Sequence, residues 1–582
     1  MRSAGLIFTL AVASICFPQN FRGGLATTGD GSVVYFALDM RQRSTSQPLH
    51  SKIFAVDRQD IRLVMQRQVN VDSGSRESGQ YSTNYYRLDS PQVSGDGAVV
   101  AFSGTRDCVR YDSCRWGDPP QYTALRPGAD PYSNSGYLHL SRNGRYEARR
   151  SQEFAGPGTV YEAAFLRDAV TGSEVALPLP GVVAVASNGA VLLSPGHIFA
   201  EGVLRNVFLA GSPVGMDDSG ATVVSESVRP PGSVEPSSIL ILDVASQRQW
   251  PVSPPDSDSR FAAISSDGQR VLYLSGPPLS KKLFVTTRDG SETRQLASLP
   301  EGISAATLSG DGRVAFALTG KSAILRINTD TGQTEQWLPP LPRIFFTTDV
   351  MAPGSTYVLT GEGLGQTTYT PAFGWLPVSL DAVQFLVDGV PVEFLSASPD
   401  RVTYRVPESV KVDPEPAAER EVDAVYRGNV FFDLPFRTRV AGVAPRMSCL
   451  GDCNRAGWNY SSAIHQDFTS LVTPEDPARI GETLHLYMAG LGPVSPQFPM
   501  NRIAPFSPLS RVTSNLRLTA RPSFAPAIEA PIVFAGLAPG LIGFYQLSFV
   551  VPAGLPSAQI FLELSLDRTP YFLGGFYCTG RR

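Results

Sequence analysis

The sequence predicts an all-β protein: a seven-bladed β-propeller followed by two Ig-like β-sandwiches. Three observations carry this. The composition is rich in turn residues, with 53 glycines and 48 prolines among 582 residues. A polar turn followed by an apolar strand recurs seven times in the first 340 residues. A different glycine-strand pattern then occurs twice. Short apolar runs separated by turn residues are the mark of all-β chains. Charged residues make up only 18%, below the roughly 25% usual in soluble domains, which excludes a coiled coil. With 31 Phe, 20 Tyr and 5 Trp there is ample apolar surface to bury, which excludes wholesale disorder.

The chain opens MRSAGLIFTLAVASIC, with Arg2 ahead of an apolar run from Ala4 to Ala13 that is too short to anchor in a bilayer. Small residues follow at cleavage spacing, Ala11/Ala13 or Ser14/Cys16. Residues 1–16 are read as a signal peptide, with the mature chain beginning near Phe17. A lipid anchor on Cys16 is the alternative, weakened by Ile15 where a small residue is wanted. No later stretch reaches the ~18 apolar residues of a membrane helix. The expected chain is exported and monomeric, without a stable membrane span. Net charge is −4 and no basic block recurs, so a nucleic-acid partner is not expected.

The repeated unit begins at Thr28, Ser94, Ser141, Ala186, Asp217, Ser265 and Ser309, at intervals of 31 to 66 residues. A polar turn ending in Asp/Asn-Gly supplies the positive φ of a tight hairpin, and the strand after it packs on the next unit. A period in the forties with several strands per unit indicates propeller blades. Segments 52–57 and 61–64, and the hairpins about Arg288-Asp289-Gly290 and Asp330-Thr331-Gly332, supply the remaining strands. The copies at Ser141, Ala186 and Asp217 are degenerate, so six or eight blades stay open. Asp96, Asp267 and Asp311 are expected to close their turns on backbone amides. This region, about 20–342, resembles the TolB-type, WD-like propeller repeats of exported bacterial proteins. Such a resemblance implies a propeller and an extracytoplasmic role.

The second pattern runs from Gly354 to Gly365 and again from Gly481 to Gly492, 127 residues apart. Each copy leads to a strand ending in Val-Pro, Val406-Pro407 and Val551-Pro552. The first also carries a hairpin about Asp388-Gly389. Short strands and glycine turns of this kind indicate Ig-like sandwiches. The expected organisation is a signal peptide at 1–16, a propeller at 17–342, and sandwiches at 343–440 and 441–582. The first sandwich resembles the IPT/TIG family. The second resembles a C-terminal domain of unknown function recurrent in exported acidobacterial proteins, through Ala489-Gly490-Leu491-Gly492 and 534–540 running into 549–552. That resemblance implies export and no catalytic residues.

Chemistry is less legible. There is no G-x-S-x-G elbow, no HExxH and no complete calcium loop; Asp256-Ser257-Asp258 is the nearest to one. No cofactor or metal is expected. A zinc set of Cys449, Cys453, His465 and His485 has the wrong spacing. Cys108–Cys114 and Cys449–Cys453 are the expected disulfides, with Cys578 left over or exchanged into the second pair. Residues 81–137 read as an aromatic insertion between blades, with 103–135 outside the strands. Tyr85, Tyr86, Tyr111, Trp116 and Tyr122 are the candidate ligand-binding residues there, since Tyr and Trp give rigid amphipathic contact area. The function expected is an exported, non-enzymatic binding or scaffold protein, with a protein or glycan as partner. The alternatives are a propeller enzyme acting on extracellular polysaccharide or peptide, and a TolB-like envelope assembly factor.

Overall fold

The structure is a computed structural model. It describes residues 20–40, 50–58, 60–68, 70–73, 82–109, 121–125, 132–135, 137–154, 160–227, 236–346, 350–365, 376–380, 383–415, 417–427, 433–447, 463–522 and 525–579. Among these every regular element is a strand, so the all-β class holds. No helix long and apolar enough to cross a membrane occurs among the described residues. Two compact units divide at Leu341/Pro342.

The N-terminal unit holds seven antiparallel sheets, each built from consecutive strands in sequence order; six have four strands and the second has five. The seventh shows the plan. Ile303–Leu308, Val314–Thr319, Ile324–Asn328 and Thr334–Leu338 form a simple meander. All six residues of Val314–Thr319 are buried. Aliphatic and aromatic side chains suit a pleated surface covered on both faces, and Phe316 meets Trp337 edge-on at 4.9 Å. Each sheet packs on the next, and the first strand of the first sheet lies against Ile303–Leu308 of the last. The series therefore closes into the ring of a β-propeller. Among the described residues no strand is exchanged between the first and last sheets, so closure rests on packing and on the turns described below.

In six sheets the sequence repeat falls on the turn between the first and second strands, and in the five-stranded second sheet on the turn between Ser82–Val93 and Val100–Val109. The segments expected at 52–57 and 61–64 are strands, and the hairpins expected about Arg288-Asp289-Gly290 and Asp330-Thr331-Gly332 join Lys282–Thr287 to Thr293–Ala297 and Ile324–Asn328 to Thr334–Leu338. The reading of 81–137 as an insertion is corrected. Ser82–Val93, Val100–Val109, Gln121–Leu125 and Tyr132–Ser135 are strands of the second sheet itself. The Tyr, Thr and Val content that marked the stretch as a binding loop also favours strands, and only the pieces between the strands are loop.

The C-terminal unit contains two sheet pairs. In the first, a four-stranded sheet with Thr356–Glu362 and Arg401–Arg405 at its centre faces a five-stranded one with Arg420–Arg427 and Asp433–Val440. Phe385, Phe394, Tyr404 and Tyr426 fill the space between, all fully buried. In the second pair the equivalents of Thr356–Glu362 and Arg401–Arg405 are Thr483–Ala489 and Tyr545–Val550, again antiparallel. The twin sequence motif is thus one strand pair used twice. In both pairs a two-residue strand just upstream, Val350–Met351 or Ala478–Arg479, pairs in parallel with a late strand of the opposite sheet. Asp388 and Gly389 both have positive φ, as a two-residue hairpin turn requires. The two sheet pairs meet through Gly490 N–H donating to Ser355 Oγ at 3.0 Å and Thr356 N–H donating to the Gly543 carbonyl at 2.9 Å.

Candidate axial binding site

The site is built from the seven turns. In each, the fourth residue is glycine with φ between 67° and 87°, a conformation that costs other residues about 1 kcal/mol or more. Its N–H bonds the carbonyl of the first residue, at 2.8 to 3.2 Å in all seven. The first and third side chains then satisfy the rest of the turn. Ser309 Oγ accepts from Val314 N–H at 2.9 Å and donates to Asp311 Oδ1 at 2.6 Å, and Asp311 Oδ1 accepts from Arg313 N–H at 3.0 Å. Asp96 and Asp267 do the same in their turns, which is the role expected of them. The Ser94 hydroxyl and the Ala98 amide hold the Asp96 carboxyl below its ordinary value. In the fifth turn the side chains swap: Asp217 stands first and Ser219 third, Ser219 Oγ donates back to Asp217 Oδ2 at 2.5 Å, and Thr222 N–H still donates to the first residue, at Asp217 Oδ1.

The second residue faces the axis. These are Gly29, Gly95 and Gly310 in the first, second and seventh turns, and Arg142, Ser187, Asp218 and Ser266 in the others. A ring of hydrogen bonds joins them. Gly29 N–H donates to Gly95 O, Gly95 N–H to Arg142 O, and the Asn143 side-chain amide to Ser187 O. Ser187 N–H then donates to Asp218 O, Asp218 N–H to Ser266 O, Ser266 N–H to Gly310 O, and Asp311 N–H back to Gly29 O. All seven bonds run in one direction, at 2.6 to 3.2 Å. The ring surrounds a mouth of about 430 Å³, lined by the second-position residues together with Asn143, Asp267 and Asp311.

Arg142 lies across this mouth. From the third sheet it reaches the sixth, where Nη1 donates to Ser266 Oγ at 3.1 Å and Nη2 to the Ile264 carbonyl at 3.0 Å. Its Nε stands 3.6 Å from Asp218 Oδ1. Burial lowers the guanidinium's pKa, and Asp218 and Asp267 work against that shift. The glycines give it room. A Cβ on Gly310 would stand 3.0 Å from Arg142 Nη1 and 2.9 Å from Ser266 Oγ. A guanidinium has five N–H groups, so one on each terminal nitrogen of Arg142 has no partner among the described residues. Asp267 and Asp311 serve their own turns through Oδ1, and Arg142 and Asp218 are the charged groups among the second-position residues.

The residues singled out in the sequence lie elsewhere. Tyr85 and Tyr86 are in Ser82–Val93 and Tyr122 in Gln121–Leu125, strands that flank Val100–Val109 on its two sides. Cys108 is in Val100–Val109. Tyr111, Trp116, Cys114, Cys449 and Cys453 fall outside the described residues. Cys578 is a buried free thiol, its pKa pushed up to about 11 by burial. His465 bonds Glu482 Oε1 through Nδ1 at 2.6 Å and the Asp476 carbonyl through Nε2 at 3.1 Å. His485 stacks on Phe468 and bonds Ser548. Both rings serve the second sheet pair. Asp258, from the incomplete calcium motif, pairs with the buried Lys281 at 3.4 Å. Arg142 and Asp218 were missed by sequence reasoning because both sit in copies read as degenerate. The available signal was the second turn position, where four of seven copies depart from glycine.

No known protein family and no curated protein matches the chain. Among solved structures it is similar to TolB from Acinetobacter baumannii, at 14% identity over 48% of this chain and 64% of that one, with a TM-score of 0.30. It spans, then, less than two thirds of that TolB. It is also similar to the β-propeller domain of the Trilobed protease from Pyrococcus furiosus, at 12% identity over 57% of this chain and 98% of that one, TM-score 0.39. An oligogalacturonate lyase from Vibrio parahaemolyticus is similar at 9% identity over 55% of this chain and 80% of that one, TM-score 0.29.

Proposed function

We propose that this chain is an exported, non-enzymatic binding protein. In this reading a seven-bladed propeller at about 17–342 recognises a protein or glycan at its axial mouth. Two Ig-like sandwiches, at 343–440 and 441–582, serve as spacer or docking modules, and residues 1–16 direct export. The observation that carries the reading is Arg142. It is held across the mouth by the sixth sheet, and it keeps donors free beside Asp218. Catalysis by a carboxylate pair needs two groups whose environments push their pKa values apart. Here Asp267 and Asp311 each accept a serine hydroxyl and a backbone amide, which suits structural acceptors. Tyr85, Tyr86, Tyr111, Trp116 and Tyr122 are proposed as further recognition residues.

The test uses the full chain on a combined glycan and peptide array. The expected result is capture that Arg142→Gln abolishes. Capture lost only in the Tyr111→Ala/Trp116→Ala double variant moves recognition to those aromatic residues. Conversion of the captured ligand to released product would establish the enzyme reading instead.

A further inference from the structure

We propose that the axial mouth takes the neutral, hydroxyl-rich end of a saccharide, held between Arg142 and Asp218. This rests on the reading of the mouth as the recognition surface and names its ligand class. Three features of the mouth lead there.

The first is its lining. About 430 Å³ lies within the ~300–1,000 Å³ of small-molecule sites. Such sites are mostly apolar, with a few polar groups. This one is lined by Gly, Ser, Asn, Asp and Arg alone. A protein partner anchors through aromatic or aliphatic side chains seated in desolvated pockets, and no aromatic or aliphatic residue lines this mouth. Its polar side chains and ring backbone favour a ligand dense in hydroxyls.

The second is the pairing of donor and acceptor. Arg142 has one N–H on each terminal nitrogen without a partner among the described residues, and the Asp218 carboxylate stands 3.6 Å from its Nε. Neighbouring sugar hydroxyls each donate and accept, so one can accept from the guanidinium while the next donates to the carboxylate. Hydrogen bonds to ionised partners are roughly twice as strong as neutral ones. A saccharide end satisfies both charged groups without bringing a charge of its own into the mouth.

The third is the field. Asp267 and Asp311 line the mouth, and Asp30 and Asp96 hold the same position in the first and second turns. Arg142 is the one cation of the lining. A carboxylate or phosphate entering would meet this excess of negative charge at short range, where unscreened repulsion is strongest. A neutral ligand avoids it.

The experiment is an array of neutral and uronic-acid oligosaccharides probed with the full chain, followed by calorimetric titration of the best neutral trisaccharide and of trigalacturonic acid. The neutral sugar should bind, trigalacturonic acid at least tenfold more weakly. Arg142→Gln and the near-isosteric Asp218→Asn should each weaken the neutral sugar at least tenfold, with melting curves showing both variants folded. Absence of any neutral binder, equal binding of the acidic trimer, or unchanged binding by both variants overturns the proposal. If peptides are captured in an Arg142-dependent way while no sugar is, the ligand class is wrong and the mouth stands as the recognition surface. If no capture depends on Arg142, both readings fall.

Discussion

In the seventh sheet all six residues of Val314–Thr319 are buried, and Ala315, Phe316 and Ala317 show no exposure at all. In the third sheet the equivalent strand, Tyr146–Phe154, opens Tyr146-Glu147-Ala148-Arg149-Arg150, with three charged residues among its first five. The two sheets share the same turn, the same meander and the same place in the ring. The seventh is held by apolar burial. The third keeps a smaller apolar cluster, Ala148, Ala164 and Leu177, and adds cross-strand charge: Glu147 opposite Arg167 at 3.7 Å, Arg145 gripping Asp168 through Nε and Nη2, and Arg149 paired with Glu174 while covering Phe165. A blade can therefore change its interior while its turn stays fixed. The same sheet that changed its interior also supplies the charged second position, Arg142.

The largest difference should appear on truncation. Phe316→Ala removes a fully buried ring and its contact with Trp337, and should destabilise the propeller by about 3–5 kcal/mol. Glu147→Gln keeps the shape of a fully buried side chain and removes its charge, with Arg167 partly exposed. It should cost about 1–3 kcal/mol. Urea melts of the two variants measure both. No measurable loss in Glu147→Gln would mean that the third sheet is held by packing and its charges are incidental.

A smaller effect should follow from pH. His139, on the inner strand of the third sheet, is pushed down to about 4 by burial and then by Arg150. The unfolded chain takes up this proton near 6.5 and the folded one only near 4, so the stability it contributes is full above 6.5 and is lost as pH falls to about 4. His139→Gln should remove that part of the acid-side decline in melting temperature. In the C-terminal unit His465 has the opposite sign. Burial lowers its pKa, but Glu482 at 2.6 Å and Asp476 together outweigh this and the net shift is upward. Its contribution is complete below 6.5 and fades as pH rises through the folded value. Replacing His465 should therefore leave the acid side unchanged and flatten the alkaline one. Identical pH profiles for wild type and the His139 variant would show that this histidine is solvated.

The seventh sheet was legible because its signals agree: Asp-Gly at the turn, an apolar strand after it, and a second Asp/Thr-Gly hairpin beyond. The paired strands of the C-terminal unit were legible for the same reason, each copy marked by glycine turns and a Val-Pro end. In the third sheet the turn was readable and the strand was not. Glu147, Arg149 and Arg150 find their partners on a neighbouring strand, and one strand's own sequence does not announce them. The second sheet failed in the other direction. Its stretch 81–137 was read as an insertion between blades, although Tyr85↔Asp107 and Ser103↔Tyr122 are ladder pairs. Arg142 and Asp218 were hidden because a ring places seven distant turns side by side, and their meaning appears only when the second positions are compared.

The most direct test gives the third turn the glycine that the first, second and seventh already carry. Arg142→Gly in the full chain keeps the turn, the strand and the backbone ring, and removes the side chain across the mouth. If Arg142 serves recognition, the melting temperature should fall by no more than about 4 °C, the cost of one or two hydrogen bonds in a unit of this size. The ring amides of Gly95, Ser266 and Asp311 should stay protected from exchange, while ligand capture on the array is lost. A fall of ten degrees or more with ring amides exposed and capture retained would make Arg142 the crossbar of the ring, and would contradict the account.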